Sequence, residues 1–447
     1  MLHVDPVLGR VTLQAGARLE VALRALKEHG WTLQNFSSIA EQQVGGWTQA
    51  GCHGTGASLP PVEEQVVSLK LVTPGKGTLV LDGHENNPEL FHLAKVGLGA
   101  LGVVAEVTLQ GVKAHSLGEQ VQVMPASQVG KGHAARLQKH RHVRYMWLPY
   151  TDDVVVVTAD PLERCPHGVA TTKLAPEVER TAALRALLRR YDPKAAADEG
   201  LSFADLRDKA LAVNPLSVAH VAEVNTAEAA FWKASQGWRV GDSAAILGFE
   251  CGGEQWVTEV AFPTGTRARP DGRDLRFVQE TLAYIRAAGI PAPAPLEQRW
   301  SCGSAAPMSP AFTGHTESPG DALHCWLGII MYLPPSSGPG SDPERRAEVD
   351  KAFAGYRQGW QKTVCSAYGA ADHWAKIELP ATEAELMALR KQLRLRFPVE
   401  TFTRWRQELD PDNVMGSDLI DALMPRTRSF TGSPLPAASG GPATPKA

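Results

Sequence analysis

The residues between Gln34 and Gly56 carry the strongest chemical signal in this sequence. They read QNFSSIAEQQVGGWTQAGCHGTG and include five glycines, with Glu41 as their one carboxylate and His53 as their one histidine. Glycine at this density lets backbone N–H groups approach a ligand closely and adopts positive φ angles without strain. Successive inward N–H groups form a nest that suits an anionic pyrophosphate. Taken alone, the segment is explained equally well as a glycine-rich surface loop.

Two further groups of residues have the types and spacing for polar binding. In LEQRW, Glu297 and Arg299 alternate along a predicted strand, so both side chains point to the same face. A guanidinium there can donate to carbonyl or ring oxygens, and a carboxylate can accept from a hydroxyl. An ordinary exposed ion pair is the alternative. In HWAK, His373 and Lys376 are three residues apart, and His373 is explained equally well as a hydrogen-bonded core histidine.

Cys251 precedes two glycines, and a thiolate in such a position would be sensitive to oxidation. A buried, inert cysteine is the alternative. The six cysteines have irregular spacings without a CxxC pair, which argues against a structural zinc site and against a disulfide scaffold. The 14 histidines form no HxH or HExxH pattern, so the sequence predicts no metal site.

Length and composition set broad limits on the class of protein. A chain of 447 residues is long enough for two or three domains. The hydrophobic content of 43% and charged content of 21% are typical of globular proteins, and the net charge of −3 gives no reason to expect a nucleic-acid partner. No apolar run reaches the roughly 18 residues of a membrane-spanning helix. HCWLGIIMYLP (324–334) is the nearest and is interpreted as a buried strand.

The order of hydrophobic patterns predicts an α+β chain. In the first part, Asn87 is expected to cap a helix that starts at Pro88, and PGKG is expected to join two strands as a hairpin. The strands of this part are predicted at 11–15, 64–73, 77–81 and up to 110, with a helix over 18–29. After residue 115, strands near 142–149, 153–159, 255–262, 296–300 and 324–333 and helices near 176–191, 202–213 and 216–234 predict an antiparallel sheet with helices on one face. From Thr431 the Pro/Gly/Ala/Ser-rich composition predicts a disordered tail.

From about residue 10 to residue 425 the chain resembles the aldonolactone oxidoreductases of the vanillyl-alcohol oxidase flavoprotein family, specifically those of the plant L-galactono-1,4-lactone dehydrogenase type. The resemblance is carried by long strings in one order: LQNFSSIAEQQVGGWTQAGCHGTGASLPPVEEQVVSLKLVTPGKGT, PELFHLAKVGLGALGVVAEVTLQ, LSFADLRDKALAVNPL, ILGFECGGEQWV, IPAPAPLEQRW, WLGIIMYLP, HWAKIELP and LRLRFPVETFTRWRQELDP.

The resemblance implies a domain organisation. Residues 1–114 would be the second part of a PCMH-type FAD-binding domain, 115–370 a substrate-binding cap domain, and 371–430 a segment that returns to the flavin site, before the tail at 431–447. The family's FAD domain begins earlier than Met1. Its first flavin-binding subdomain is therefore expected to be missing, and we expect FAD to bind non-covalently, weakly and substoichiometrically.

The resemblance also implies roles for single residues. Glu297 and Arg299 would bind the substrate, and Lys376 would lie near the N1–C2=O edge of the flavin, where a cation stabilises the negative charge of the reduced ring. Ser37 stands at the position that controls O2 access, usually Ala in dehydrogenases and Gly in oxidases. Cys251 is the redox-sensitive candidate. The cofactor-binding residues would be Ser38, Gln43, Gly45, Gly46, Gly51, His53, Gly54, Thr55, Gly102, Val103 and Val104.

The implied activity is FAD-dependent oxidation of L-galactono-1,4-lactone to L-ascorbate with cytochrome c as electron acceptor, at the mitochondrial inner membrane on its intermembrane-space side. Two alternatives remain open. One is a D-arabinono- or L-gulono-1,4-lactone oxidase that uses O2. The other is a flavin-poor scaffold that assists assembly of respiratory complex I.

Overall fold

A five-stranded antiparallel sheet forms the first part of the protein. The computed structural model describes residues 3–84, 87–248, 253–314, 319–337 and 341–426. In spatial order the strands of this sheet are β1 (His3–Asp5), β2 (Arg10–Gln14), β6 (Val103–Gln110), β4 (Val66–Thr73) and β5 (Gly77–Asp82). A small second ladder pairs β3 (Trp31–Thr32) with β7 (Val112–Lys113), and the helices are α1 (Leu19–Glu28), α2 (Val44–Gln49) and α3 (Pro88–Ala94).

An eight-stranded antiparallel sheet forms the second part. Its spatial order is β11 (Gly237–Asp242), β8 (Ser116–Pro125), β10 (Asp153–Pro161), β9 (His142–Trp147), β13 (Leu296–Cys302), β14 (Ala322–Tyr332), β12 (Gln255–Thr266) and β15 (Ala371–Asp372). Its helices are α4 (Ala126–Val129), α5 (His133–Lys139), α6 (Glu177–Arg180), α7 (Ala182–Leu188), α8 (Pro193–Ala197), α9 (Phe203–Val213), α10 (Val218–Ala234), α11 (Ser243–Leu247), α12 (Arg273–Ala288), α13 (Pro343–Trp360) and α14 (Ser366–Tyr368).

Three C-terminal helices pack back onto the first sheet. They are α15 (Glu383–Arg396), α16 (Val399–Leu409) and α17 (Asp418–Leu423). Phe402 of α16 and Leu423 of α17 belong to the same buried cluster as Leu13 and Val107 of the first sheet. The chain thus crosses the second sheet and then contributes to the first core again.

The predicted α+β class is confirmed, and so are the helix cap at Asn87 and the hairpin at PGKG. The Asn87 side chain accepts a hydrogen bond from the Leu90 N–H at 3.4 Å, as expected of a helix cap followed by proline. The PGKG segment joins β4 and β5 as an antiparallel hairpin. The five cysteines among the described residues are free thiols. Within these residues no helix is both long and apolar enough to cross a membrane.

Helices cover both faces of the eight-stranded sheet, whereas the sequence predicted helices on one face. Val154 and Val156 of β10 pack with α12 and α13, while Val155 and Val157 pack with Ala229 of α10. The reason is the run of four consecutive valines, Val154–Val157, which places apolar side chains on both faces of β10. A strand with this pattern must be buried on both faces.

Glu63 is a buried carboxyl group in the first core. It is fully inaccessible to solvent, and the Ser309 and Ser304 side chains lie within hydrogen-bond reach of its carboxyl group. Burial, together with the adjacent Glu64 carboxylate, raises the pKa of Glu63 from 4.5 to about 7. The folded state therefore binds a proton that the unfolded state releases between these two values.

We expect the stability of this protein to fall as the pH rises from about 4.5 to about 7, by roughly 3 kcal/mol from this group alone. Glu63→Gln should remove that part of the slope and stabilise the protein above pH 7, because it replaces an ionisable group by a neutral one. Denaturant midpoints at pH 5 and pH 8 measure the effect, with the exposed Glu28→Gln as control. Equal pH slopes in the wild type and Glu63→Gln would contradict the expectation.

Candidate active site

The pairing register of three neighbouring strands, β13, β14 and β12, places the polar residues of the candidate site side by side. Glu297 of β13 lies opposite Gly328 of β14, and Gly328 lies opposite Glu259 of β12. Two residues further along, Arg299 lies opposite Trp326. Residues directly opposite one another, and residues two apart on one strand, share a face of a sheet. The two carboxylates, the guanidinium and the indole therefore lie on one face, and Gly328 leaves a gap between the carboxylates.

A cavity of about 780 Å³ lies over this face of the sheet. Its floor includes Arg144, Met146, Glu259, Glu297, Arg299 and Gly328. The glycine-rich segment contributes Ser37, Ser38, Gln42, Cys52 and His53, and the C-terminal part contributes His373, Ala375 and Lys376. Further parts of the wall come from α9 and α10, with the aromatic side chains of Phe203, Phe231 and Trp232, and from β11. The cavity is therefore built where the two parts of the protein meet.

Glu297 is held as a carboxylate by two guanidinium groups. Arg299 donates to its Oε2 atom, and Nη1 of Arg144 lies 3.5 Å from its Oε1 atom. Burial alone would raise the pKa of Glu297, but Arg299 and Arg144 lower it below its ordinary value. The Arg299 side chain is 11% exposed and that of Glu297 is 24% exposed, so this pair is mostly buried and lines the cavity. Such a pair can accept from a hydroxyl and donate to a carbonyl of the same small ligand.

Lys376 supplies a cation on the opposite wall of the cavity. It is half-buried in the short 3₁₀ turn Trp374–Lys376, and it makes no ion pair within the described part of the chain. His373 fixes this turn, because its Nδ1 atom accepts from the Ala375 N–H at 3.1 Å. Burial lowers the pKa of His373 to about 4, so its ring is neutral at physiological pH. His373 thus has the hydrogen-bonded role that was its alternative interpretation, while it also lines the cavity.

A second cavity of about 600 Å³ adjoins the first, since Gln42 and Ala375 line one and their neighbours Gln43 and Trp374 line the other. It is lined by Gly45, Gly46, Gly99, Gly102, Val103 and Val104, and also by Met415, Ser417 and Ile420 from the C-terminal segment. Cβ atoms added at Gly46 and at Gly99, whose φ is +67°, would meet no atom within 4 Å. Side chains at these two positions would instead occupy the cavity.

The two adjoining cavities suit an elongated dinucleotide such as FAD. The second has a glycine-lined wall that allows close backbone approach, and the first has a free cation and polar side chains. One predicted donor does not fit this role, because the Gly45 N–H already donates to the Ala15 carbonyl at 2.8 Å. The contribution of Gly45 is close packing, since a Cβ there would lie 2.9 Å from the Ala15 Cβ.

The other predicted cofactor residues divide into two groups. Ser38 and His53 line the larger cavity. Gly51 packs on Pro310, Gly54 lies against the Asn35 side chain, and the Thr55 hydroxyl contacts Nδ1 of His142 at 3.0 Å. Of these three, Gly54 and Thr55 line only a small pocket of about 30 Å³, and Gly51 lines neither large cavity. These residues shape the loop rather than face the space where a cofactor would lie.

The Ser37 side chain faces the larger cavity and has a defined orientation. Its hydroxyl donates to Oε1 of Gln42, five residues along the same loop. The Gln42 side chain therefore fixes the orientation of the Ser37 hydroxyl.

Cys251, the redox-sensitive candidate, and the tail from Thr431 lie outside the described residues.

Sequence reasoning missed three residues of the site, namely Arg144, Glu259 and Gly328. Arg144 and Glu259 sit on strands that were predicted, in RYMW and VTEVAF, and each is a charged residue within an otherwise apolar strand. A charge in such a strand is the feature that could have identified Arg144 and Glu259 as site residues. For Gly328 the corresponding feature is weaker, namely an isolated glycine in the apolar run WLGIIMY.

Comparison with known proteins agrees with this site. The family model described as D-arabinono-1,4-lactone oxidase matches residues 107–423, and the one described as FAD binding domain matches residues 1–82. L-galactono-1,4-lactone dehydrogenase 2, mitochondrial, of Oryza sativa is 47% identical over 96% of this chain and 73% of its own length. The Arabidopsis thaliana L-galactono-1,4-lactone dehydrogenase is 46% identical over 95% and 70%, and the Bos taurus L-gulonolactone oxidase is 26% identical over 93% and 81%.

Among solved structures, a cholesterol oxidase from B. sterolicum superposes with a TM-score of 0.69 at 16% identity, covering 93% of this chain and 81% of that one. This likeness shows the fold alone. The family models and the two cavities together define an FAD-dependent oxidoreductase. The chain belongs to the aldonolactone oxidoreductase family, and its cofactor is FAD.

The gap at Gly328 gives a direct test of the cavity floor. A Cβ at this position would have only the Thr258 carbonyl oxygen within contact distance, at 3.7 Å, so a side chain fits the backbone and projects between the two carboxylates. We expect Gly328→Ala to weaken lactone oxidation and Gly328→Val to reduce kcat/KM at least tenfold, about 1.4 kcal/mol, with an unchanged melting temperature.

Steady-state kinetics and thermal melting measure both effects. Gly355→Ala, on the exposed side of α13 with no atom within 4 Å of the added Cβ, is the matched control. Normal turnover in Gly328→Val would mean that substrate does not approach the sheet at this point.

Proposed function

We propose that this protein oxidises L-galactono-1,4-lactone to L-ascorbate at the 780 Å³ cavity and passes the electrons to cytochrome c. The observation that carries the lactone part is the buried Glu297–Arg299 pair on the cavity floor, next to a glycine-lined cavity suited to FAD. The names of the plant relatives support this choice of lactone.

The residues of the chain would bind and orient the lactone. Arg299 donates to the lactone carbonyl or ring oxygen, and Glu297, kept as a carboxylate by Arg299 and Arg144, accepts from a hydroxyl. This clamp holds the ring in one orientation and so reduces the entropy cost of reaction. FAD supplies the hydride acceptor when it is bound. The Lys376 ammonium places positive charge at the cavity, where it favours the negative charge that develops during oxidation.

Glu297→Gln and Arg299→Ala should each lower kcat/KM with unchanged flavin content. A charged hydrogen bond that strengthens in the transition state contributes on the order of 2–4 kcal/mol, which corresponds to roughly 30- to 900-fold in rate. Lactone titrations with cytochrome c, together with the flavin absorbance of each preparation, measure both quantities. Arg190→Ala removes an exposed ion pair with Glu223 and serves as the control. Near-normal kcat/KM in both site variants would show that the pair is structural.

The choice of electron acceptor depends on access of O2 to the flavin. We propose that Ser37 obstructs this access, because its side chain faces the cavity and its hydroxyl is anchored on Gln42. The hydrogen bond keeps the hydroxyl in one orientation, so the Ser37 side chain occupies space beside the cavity that a glycine would leave open. The enzyme is then a dehydrogenase, which distinguishes it from an O2-using D-arabinono- or L-gulono-1,4-lactone oxidase.

We expect reduced enzyme to react slowly with O2 and rapidly with cytochrome c. Ser37→Gly should speed reoxidation by O2 at least tenfold, about 1.4 kcal/mol in the barrier, and Ser37→Ala should not. Stopped-flow reoxidation in air-saturated buffer makes the comparison. Fast reoxidation of the wild type without gain in Ser37→Gly would instead identify an oxidase.

We propose a location at the mitochondrial inner membrane on its intermembrane-space side; the names of the plant relatives, which include mitochondrial, support the organelle. A purified protein without flavin absorbance and without lactone turnover towards any acceptor would favour the flavin-poor scaffold role in assembly of respiratory complex I.

A further inference from the structure

His53 lies where the glycine-rich segment meets the second sheet, and each of its ring nitrogens faces an oxygen. Nδ1 is 3.0 Å from the Gly54 carbonyl oxygen, and Nε2 is 3.1 Å from Oε1 of Glu259. The side chain is 3% exposed, so water does not replace either partner. A neutral imidazole can donate from one nitrogen only, whereas an imidazolium donates from both.

Glu259 acts as an acceptor in this contact. Burial alone would raise the pKa of Glu259, but its contact with His53 and the charge of Arg299 lower it well below its ordinary value. A carbonyl and a carboxylate offer no proton. Both nitrogens of His53 must therefore carry hydrogen for the two contacts to be attractive.

Trp326 provides an independent reason for a positive charge on this ring. The imidazole of His53 stacks on the indole with 3.8 Å between ring centroids and 15° between planes. The indole is fixed in place, because its Nε1 donates to the Ser301 hydroxyl at 2.8 Å. A cation over the face of tryptophan is attracted by the negative charge of the ring surface.

A bound metal ion is the competing explanation, since His53, Glu259 and His373 offer ligand atoms that all lie within 4.8 Å of one another. A ligating nitrogen must present a lone pair. On His373 the lone pair is on Nδ1 and already accepts from the Ala375 N–H, which leaves hydrogen on Nε2. The hydrogen bonds therefore favour a proton on His53 over a metal between the three side chains.

We propose that Glu259 keeps His53 doubly protonated, and that this imidazolium is a further fixed positive charge, besides Lys376 and the arginines of the floor, that the cavity presents to the flavin. His53 and Lys376 both line the same 780 Å³ space. Glu259 is a positioning residue that acts through His53.

The role follows from the charge balance of the reaction, and this part rests on the proposed function. Bound FAD would accept a hydride, which is one proton and two electrons, from the carbon, and the hydroxyl proton would leave separately. The reduced flavin would then carry one negative charge, which the His53 imidazolium would stabilise relative to the oxidised form. The protonation state of His53 does not depend on which substrate is oxidised.

The first test is the protonation state itself. NMR of the oxidised holoprotein labelled with [15N]histidine identifies the His53 signals by their absence from His53→Gln. At pH 8 we expect protons on both nitrogens in the wild type and on one nitrogen in Glu259→Gln. A singly protonated His53 in the wild type would overturn the proposal. So would two protonated nitrogens that appear only after EDTA treatment, because that result identifies a metal site.

The second test is the reduction potential of the bound flavin, measured by dye-coupled photometric titration without any lactone. His53→Gln and Glu259→Gln should each weaken the preference for the reduced form at least tenfold, which is about 30 mV for a two-electron couple. His167→Gln, at an exposed histidine, is the matched control and should show no change.

Unchanged potentials in both site variants would overturn the role assigned to the charge. Loss of flavin from both, with full retention in His167→Gln, would also count against it, since it would show that the pair holds the oxidised cofactor. Neither test uses lactone. If the protein does not oxidise L-galactono-1,4-lactone, the NMR and reduction-potential results therefore still test the charge on His53.

Discussion

The site depends on one constraint, which is that a charged side chain can be buried only with a partner. The cavity floor carries two carboxylates on one face of a sheet, with Gly328 between them. Glu297 is neutralised within the second sheet by Arg299 and Arg144. Glu259 has its partner in the other part of the protein, at His53. The contact between Glu259 and His53, 3.1 Å from Oε1 to Nε2, therefore joins the two parts beside the cavity that both residues line.

Other contacts around the cavity connect the same two parts. The carboxylate of Glu64 accepts from the Ser304 hydroxyl at 2.9 Å and from the Ala305 N–H at 3.1 Å. On the C-terminal side, the Trp374 indole donates to the Met308 carbonyl at 2.6 Å. Both the first part, through Glu64, and the turn that carries Lys376, through Trp374, are thereby held against the segment that follows β13. A cavity formed between two cores needs such links, since neither core alone fixes the distance across it.

In the eight-stranded sheet, the residues that form the core and the residues that line the cavity lie on opposite faces of the same strands. Alternate residues of β9 and β13 point to opposite sides, so Tyr145 and Trp300 pack in the buried core with α12 and α13 while Arg144 and Glu297 face the cavity. A shift of register by one residue would exchange these two sets. The position of the cavity floor is thus tied to the same hydrophobic pattern that folds the sheet, and the helices on the other side supply the rigidity that a binding site requires.

The sequence by itself determined the α+β class, the family, the glycine-rich segment and the pairing of Glu297 with Arg299 on one face. Each of these is a local property, because a strand has a period of two residues and a glycine-rich string is contiguous. Tertiary structure alone decided that Arg144 and Glu259 complete the floor and that helices cover both faces of the sheet. His53 and Glu259 are separated by 206 positions, and no local spacing relates them. Their contact follows from strand order and from the packing of two cores, which depend on the sum of many weak interactions across the whole chain.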